Sequence, residues 1–279
     1  MSVINTNVSA LYSQNAMKVN SRAMSSAMQQ LSTGSRINSA ADDAAGLAIG
    51  QSMTSQIRGL NQAVRNANDG INMMQTAEGA MVEQSNMLQR MSELATQATN
   101  GTYNDTQRGY LNTEFTALTT QIGNIASQTT WNGRQLLDGT DTGSIGGSSG
   151  VFVFQVGQSS GQTISVTIGA MDAAGLSVSG LAISNASDAS AAITTIASAL
   201  DTINSQRATI GAGINQLTYA ADNLTNISSN VAASRSSIMD TDYAQASTQL
   251  SKTQIIQQAS TAMLAQANQQ PQSVLALLK

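Results

Sequence analysis

The chain has 279 residues, enough for a sizeable core in one or two domains, but only 10% are charged, against roughly 25% in an average globular protein. Net charge is −4, with no basic footprint for nucleic acid, and there is no Cys, no His and a single Pro. Those absences exclude disulfides, thiolate chemistry and every catalytic or metal site built on His, and they favour long helices, since Pro breaks helix interiors.

The N-terminal segment carries Val8, Tyr12, Ala16, Val19, Ala23, Ala27 and Leu31 in steps of three and four, with Leu11, Met24 and Met28 alongside. That spacing predicts one face of a helix. Gly34 within "STGSR" is a plausible C-terminal stop. A second, very long helix should open near "NSAADDAAG", with Ser39 as candidate cap and Asp42 and Asp43 where the helix dipole favours negative charge. Its stripe runs from Ile49 through Leu60, Ala67, Met74, Met81 and Leu88 to Leu94. Gly59, Gly70 and Gly79 each weaken it by about 1 kcal/mol relative to Ala, so a bend near "NDG" is allowed.

"NGTYNDTQ" reads as a turn, and Leu111, Phe115, Leu118, Ile122 and Ile125 mark a third helix that "TWNGRQLLDG" ends. Gly and Ser dominate 140–150, which reads as a loop. "VFVFQVG" and "QTISVTIG" flank "QSSG", the pattern of a β-hairpin, while 170–187 stays open between loop and short strand. The fourth helix keeps a three-four rhythm from Ile193 to Val231. Arg207 interrupts it, with either its stem lying along the seam or its charge in a buried pair.

A fifth helix starts around "MDTDYAQ", where Asp240 and Asp242 suit the N-terminal turn; capping, not calcium binding, is the role read for "DTD". Its face runs through Tyr243, Ala246, Leu250, Ile256, Ala259, Met263 and Ala267, until Pro271 should end or kink it ahead of Val274, Leu277 and Leu278. No run is apolar enough to span a membrane, and the start lacks the charged and apolar blocks of a Sec-type signal. The expected architecture is mainly α: the middle long helices can close an antiparallel bundle with a small β-hairpin, and the terminal helices, short of partners, can pair with each other.

The two ends resemble each other. All sixteen carboxylates lie between Asp42 and Asp242, and 253–278 holds no ionisable side chain. Leu11, Met24, Met28, Ile255 and Leu264 widen the apolar arc of the terminal helices beyond a single seam. The surplus face should be covered only by neighbouring molecules, and uncharged polar residues suit such burial better than Lys or Glu. Val8, Leu11, Val19, Leu31, Leu250, Ile255, Ile256, Met263, Leu264 and Leu277 are the candidate assembly residues. No catalytic residue, metal ligand, cofactor or enzymatic activity is expected; thirteen Met read as adaptable packing residues.

"INTNVSAL" at 4–11, "LSTGSRINSAADDAAGLAI" at 31–49, "RNANDGINMMQTAEGA" at 65–80 and "QIIQQASTAMLAQANQQPQSVLALL" at 254–278 resemble bacterial flagellin, in a short form without large outer domains. The resemblance implies a secreted, extracellular subunit that self-assembles into the flagellar filament for motility. The hook–filament junction protein, flagellin-like at its ends, is the alternative. The resemblance to flagellin implies a discontinuous inner coiled-coil, polymerising domain from 1–41 and 236–279, and an outer antiparallel long-helix rod from 42–235 with helices about 42–99, 104–128 and 188–234 and a small β-hairpin about 151–169. The implied partners are the chain itself, the flagellar export chaperone, the filament cap and hook-junction proteins, with unfolded passage through the type III export apparatus; neither nucleic acid nor membrane is implied. The resemblance also implies recognition by Toll-like receptor 5 through "LQRMSELATQATNG" at 88–101, with Arg90, Leu94 and Glu114 at the matching positions. Ser92 stands where a well-recognised member carries Arg, which implies weaker recognition.

Overall fold

The computed structural model describes residues 6–139 and 150–276, with side chains up to Gln269. In chain order the elements are α1 (Val8–Thr33), α2 (Ala44–Thr99), α3 (Asp105–Gln128), β1 (Thr130–Trp131), β2 (Arg134–Gln135), β3 (Val151–Gln155), β4 (Thr163–Thr167), α4 (Ala186–Met239) and α5 (Tyr243–Ala276). They fall into two compact units, one of residues 1–57 and 229–279, the other of 58–228.

The second unit is a core laid out in heptads. On α2, Ala67, Met74, Met81, Leu88 and Ala95 recur every seven residues and are buried, as are Ala63, Gly70, Ala77, Gln84, Met91 and Ala98 on the adjoining row. On α4 the series is Ala189, Ile196, Ile203, Ile210, Leu217 and Leu224; on α3 it is Arg108, Phe115 and Ile122. A strict seven-residue repeat keeps one seam of each helix toward its neighbours, the requirement for coiled-coil packing. The segment 170–185 forms no strand, yet Met171, Leu176, Val178 and Ile183 are buried in the same core. Gln84 holds that segment in place: its buried Nε2 donates to the Met171 carbonyl at 2.9 Å.

Strands β3 and β4 pair antiparallel, with Phe152 opposite Val166 and both buried. Phe154, Val156 and Ile164 then pack on Ala67, Leu217 and Ala221, so the hairpin covers the α2–α4 seam. A tighter hairpin joins β1 to β2 through Asn132 and Gly133, both in the left-handed region at φ 50° and 79°. Those signs define a type I′ turn, and the Asn-Gly pair is its strongest sequence signal. The segment read as a mere helix terminator is therefore an ordered two-residue ribbon.

The α2–α3 corner is built on one cation. Arg108 is buried, donates from Nε to the Ala98 carbonyl at 2.8 Å and from Nη2 to Asn100 at 3.2 Å, and pairs with Asp105. It thus satisfies carbonyls at the C-terminal end of α2 that lack helical partners. Asn104 and Gln107 complete a capping box at the start of α3. Arg207 sits half-buried beside Glu78 at 3.6 Å, a loose and partly exposed pair between α4 and α2, so its charge is not in a buried pair.

Several local readings change. The cap of α2 is Asp43, whose Oδ1 accepts from the Gly46 N–H at 2.8 Å, not Ser39. At "NDG" the helix runs on: α2 is continuous from Ala44 to Thr99. Pro271 does not end α5, which stays helical to Ala276. The loop read at 140–150 lies almost wholly outside the described residues.

Gly70 has a packing reason. A Cβ there would lie 2.8 Å from Phe154 Cδ1 and 3.1 Å from Leu217 Cδ1. At Gly79 it would meet nothing within 4 Å. Gly79→Ala is therefore expected to stabilise the chain by about 1 kcal/mol through helix propensity. Gly70→Ala should be neutral or destabilising, because overpacking costs about 1–3 kcal/mol. Urea denaturation of the two variants checks the contrast, and equal gains would contradict it.

Candidate functional site

The first unit is built on the pairing of α1 with α5. Two long-range bonds give its direction: Asn20 Nδ2 donates to the Thr253 carbonyl at 2.8 Å, and Asn7 Nδ2 to the Ala267 carbonyl at 2.8 Å. Low numbers on one helix meet high numbers on the other, so the helices are antiparallel.

The side that α1 turns inward is Ala10, Ser13, Met17, Asn20, Met24, Ala27 and Leu31. On α5 it is Ala246, Leu250, Thr253, Gln257, Ser260, Leu264 and Ala267. Both are strict heptad rows of mixed chemistry. Thr253 is 2% exposed and Asn20 7%, whereas Tyr12 is 74%, Ile255 66% and Met263 64% exposed. Polar residues share the seam with Ala, Met and Leu, while a second set of large apolar residues points away. The stripe read from sequence as one face shares only Ala27 and Leu31 with the inward row. Val8, Tyr12 and Val19 belong to the outer face.

The candidate assembly residues divide accordingly. Val8, Leu11, Val19, Ile255, Ile256 and Met263 are exposed. Leu31, Leu250 and Leu264 are half-buried between the helices, and Leu277 lies outside the described residues. Along the flank of the pair runs an open groove of about 360 Å³, lined by Tyr12, Ser13 and Ala16 from α1 and by Ile256, Ala259, Ser260 and Met263 from α5. Exposed apolar surface of this kind on two facing helices marks an interaction surface.

Where the terminal helices meet their neighbours in the unit, hydrogen bonds replace apolar packing. Gly34 takes the left-handed conformation at φ 69° and its N–H closes α1 on the Gln30 carbonyl. Arg36 donates through Nε and Nη2 to the Ile238 carbonyl at 3.2 and 2.7 Å, and its N–H reaches Met239 at 2.6 Å. Tyr243 Oη donates to the Leu31 carbonyl at 2.8 Å, and Asp242 Oδ1 caps α5 by accepting from Ala244 N–H at 2.9 Å. Asp42 Oδ2 accepts from the N–H of Ser39 at 2.9 Å, the N–H of Asn38 at 3.1 Å and the Ser39 hydroxyl. These bonds, the Ser39 N–H foremost, hold its carboxyl below the ordinary carboxylate value.

A separate polar cluster lies on the second unit. Arg90 on α2 pairs with Glu114 on α3 and with Glu93, each at 2.9 Å. The Glu114 bond is the main cause holding the guanidinium more firmly protonated than usual. Leu94 is buried in the core beneath, so Arg90 and Glu114 face solvent and Leu94 does not. Among the described residues no acidic cluster could hold a metal ion, and no helix is long and apolar enough to cross a membrane.

The comparisons with known proteins agree with these ends. Residues 4–142 match the model of the bacterial flagellin N-terminal helical region, and 193–278 that of the C-terminal helical region. A flagellin of Halalkalibacterium halodurans is 42% identical over 99% of this chain and 100% of its own. The flagellar filament 31.3 kDa core protein of Treponema maltophilum is 40% identical over 99% of this chain and 100% of its own. Among solved structures, Bacillus cereus flagellin aligns with a TM-score of 0.50 at 34% identity, covering 61% of this chain and 94% of its own.

The Asp42 loop carries a pH dependence. Its folded pKa is depressed, so its contribution is fully present above the unfolded value of about 3.9 and is lost as pH falls through the lower folded value. Amide exchange at Ser39, corrected for intrinsic rate, should show steady protection from pH 7 to about 5 and loss below about 4. Asp42→Asn should abolish that step.

Proposed function

This chain belongs to the bacterial flagellin family and is a structural subunit of the flagellar filament, and we propose that it polymerises through the outward apolar faces of α1 and α5. The observation that supports this reading is the outward apolar face of those helices: Tyr12, Ile255 and Met263 lie exposed outside a pair whose inside holds Asn20 and Thr253. Neighbouring copies would cover Val8, Leu11, Val19, Ile255, Ile256 and Met263. Burial of such side chains contributes about 1.5–3 kcal/mol each, offset by the ordering of the ends.

In this reading 1–41 and 236–279 form the inner, polymerising domain, and 42–235 the outer rod. The export chaperone masks the C-terminal face before passage through the type III apparatus, and cap and hook-junction proteins engage the same helices at the filament ends. The filament is extracellular, and the chain acts there as a building block and not as an enzyme. The exposed pair of Arg90 and Glu114, shaped from below by Leu94, is the surface proposed for Toll-like receptor 5. Ser92 beside it lowers the expected strength of recognition. Arg90→Ala should weaken receptor activation by the purified chain further, with helical content unchanged by circular dichroism.

Deletion of 244–279 should leave a helical chain that gives no filaments in negative-stain images after addition of a precipitating salt, while the full chain does. Filaments from the truncated chain would overturn the reading. Met263→Ser removes one outward apolar side chain, so the critical concentration for polymerisation should rise by about tenfold or more, with the unfolding midpoint in urea unchanged.

A further inference from the structure

The β3–β4 hairpin does for one half of the second unit what α3 does for the other. In the α3 half, Phe115, Ile122 and Ala126 share a core with Met81, Leu88 and Leu94. Nearer the start of α2, the buried residues are Leu60, Ala63 and Ala67, packed with Leu217, Ala221 and Leu224 of α4. Phe154, Val156 and Ile164 complete those clusters, with no contribution from α3 among the described residues. Half of the six helix side chains there are Ala, so the two helices alone would bury little apolar area.

The hairpin is seated on helix glycines. Phe154 lies over Gly70 and Gln158 over Gly59 on α2, and Val166 lies over Gly213 on α4. A Cβ at Gly213 would come 2.6 Å from Val166 Cγ2, and one at Gly59 would come 2.9 Å from Gln158 Cγ. Gly inside a helix is less favourable than Ala, and here its missing side chain is the space the hairpin occupies. Both edges of the hairpin are also fastened. Ile168 N–H donates to the Gly150 carbonyl and Val156 N–H to the Gln162 carbonyl, so even-numbered residues make the ladder bonds. The backbone groups of Gln155, Thr167 and Gly169 therefore point outward. Asn66 on α2 donates from Nδ2 to the Gln155 carbonyl at 3.1 Å. Gln206 on α4 donates from Nε2 to the Thr167 carbonyl at 2.7 Å and accepts from Gly169 N–H through Oε1 at 3.2 Å. Its amide makes the two bonds that a residue of a parallel neighbouring strand would make.

We propose that the hairpin is a strap, clasped by the Asn66 and Gln206 amides, that serves as the third member of the bundle over 58–70 and 213–224 and makes this half a cooperative unit of its own. Lifting the strap uncovers Phe154, Val156 and Ile164 together and leaves two helices joined by a thin seam. Segments with few buried apolar contacts lie at the low end of local stability, so both helices lose protection in this half at once. The α3 half keeps its own core of Met81, Leu88, Leu94, Phe115 and Ile122 when the strap lifts.

Amide hydrogen exchange in the full chain, read by peptide mass, tests this. Asn66→Ala with Gln206→Ala removes both clasps, yet it raises helix propensity at each position because Ala is the best helix former. Propensity alone therefore slows exchange in α2 and α4, whereas loss of the strap speeds it. The expected result is exchange faster by about tenfold or more at 60–70, 213–224 and 151–167 together, with 84–98 and 115–126 within about twofold of the parent chain. Gly213→Ala also gains propensity but crowds Val166, and should speed the same three segments. Gly211→Ala, with open space around its Cβ, should not speed them. Unchanged or slower exchange at 60–70 in the clasp variant or in Gly213→Ala would overturn the proposal. Equal acceleration at 84–98, or loss of protection throughout 58–228, would overturn it too, because the two halves would then be one unit. The readout lies within 58–228 and requires nothing of the terminal helices.

Discussion

The heptad repeat constrains the packing of the long helices, and the two units fill that repeat with different chemistry. In the second unit the repeated positions are apolar: Ala67, Met74, Met81, Leu88 and Ala95 on α2 face a core shared with Ile196, Ile203 and Ile210 on α4. That core closes on itself. In the first unit the same spacing carries Asn20, Thr253, Gln257 and Ser260 among Ala, Met and Leu between α1 and α5, while further bulky apolar side chains such as Tyr12, Ile255 and Met263 are turned outward. Polar positions lower the burial free energy of such a seam, because part of the area it removes from water is polar.

The near absence of charge at the ends follows from the same constraint. Residues 253–278 carry no ionisable side chain, and 1–41 carry no acid. If neighbouring copies enclose this surface, as proposed, few ions fit on it, since an ion enclosed without a partner costs several kcal/mol. Gln, Ser, Thr and Asn keep water at the exposed surface and can still find partners when enclosed, as the Asn20 amide does between the two helices. Charges concentrate instead where hydrogen bonds decide geometry: Arg36 on the last carbonyls of α4, Arg108 at the α2–α3 corner, and Arg90 between α2 and α3.

Much of this organisation was legible in the amino-acid sequence. Steps of three and four located every long helix, and alternating β-branched and aromatic residues located the β3–β4 hairpin. The surplus apolar arc of Leu11 and Ile255 pointed to the outer face before any coordinates. What periodicity missed was which row faces inward. A hydrophobic stripe assumes that apolar means buried, and in α1 the inward row is held by Ala10, Ser13 and Asn20 while Val8, Tyr12 and Val19 lie outside. The signal was present as an unbroken 3–4 series, Ala10, Ser13, Met17, Asn20, Met24, Ala27 and Leu31, with Asn20 at its centre. Pro271 misled for a related reason: the cost of a proline inside a helix depends on what the freed carbonyl, here that of Ala267, finds, and Asn7 is remote in sequence. The Asn132–Gly133 ribbon was announced by its dipeptide but hidden within a segment read as the end of α3.

The tip of the β3–β4 hairpin has a consequence of its own. Ser159, Ser160 and Gly161 are exposed, and Gly161 holds φ 85° with open space around its Cα. Below the tip, register is already set by Phe152 opposite Val166 and by Gln155, which gathers the carbonyls of Gly157 and Ser159. Extra residues spliced between Ser160 and Gly161 would extend into solvent without disturbing a heptad, since loop length adds to closure entropy only slowly. This corner is thus a vacant lot in the architecture, where a foreign peptide could be grafted and displayed once on every copy of the chain.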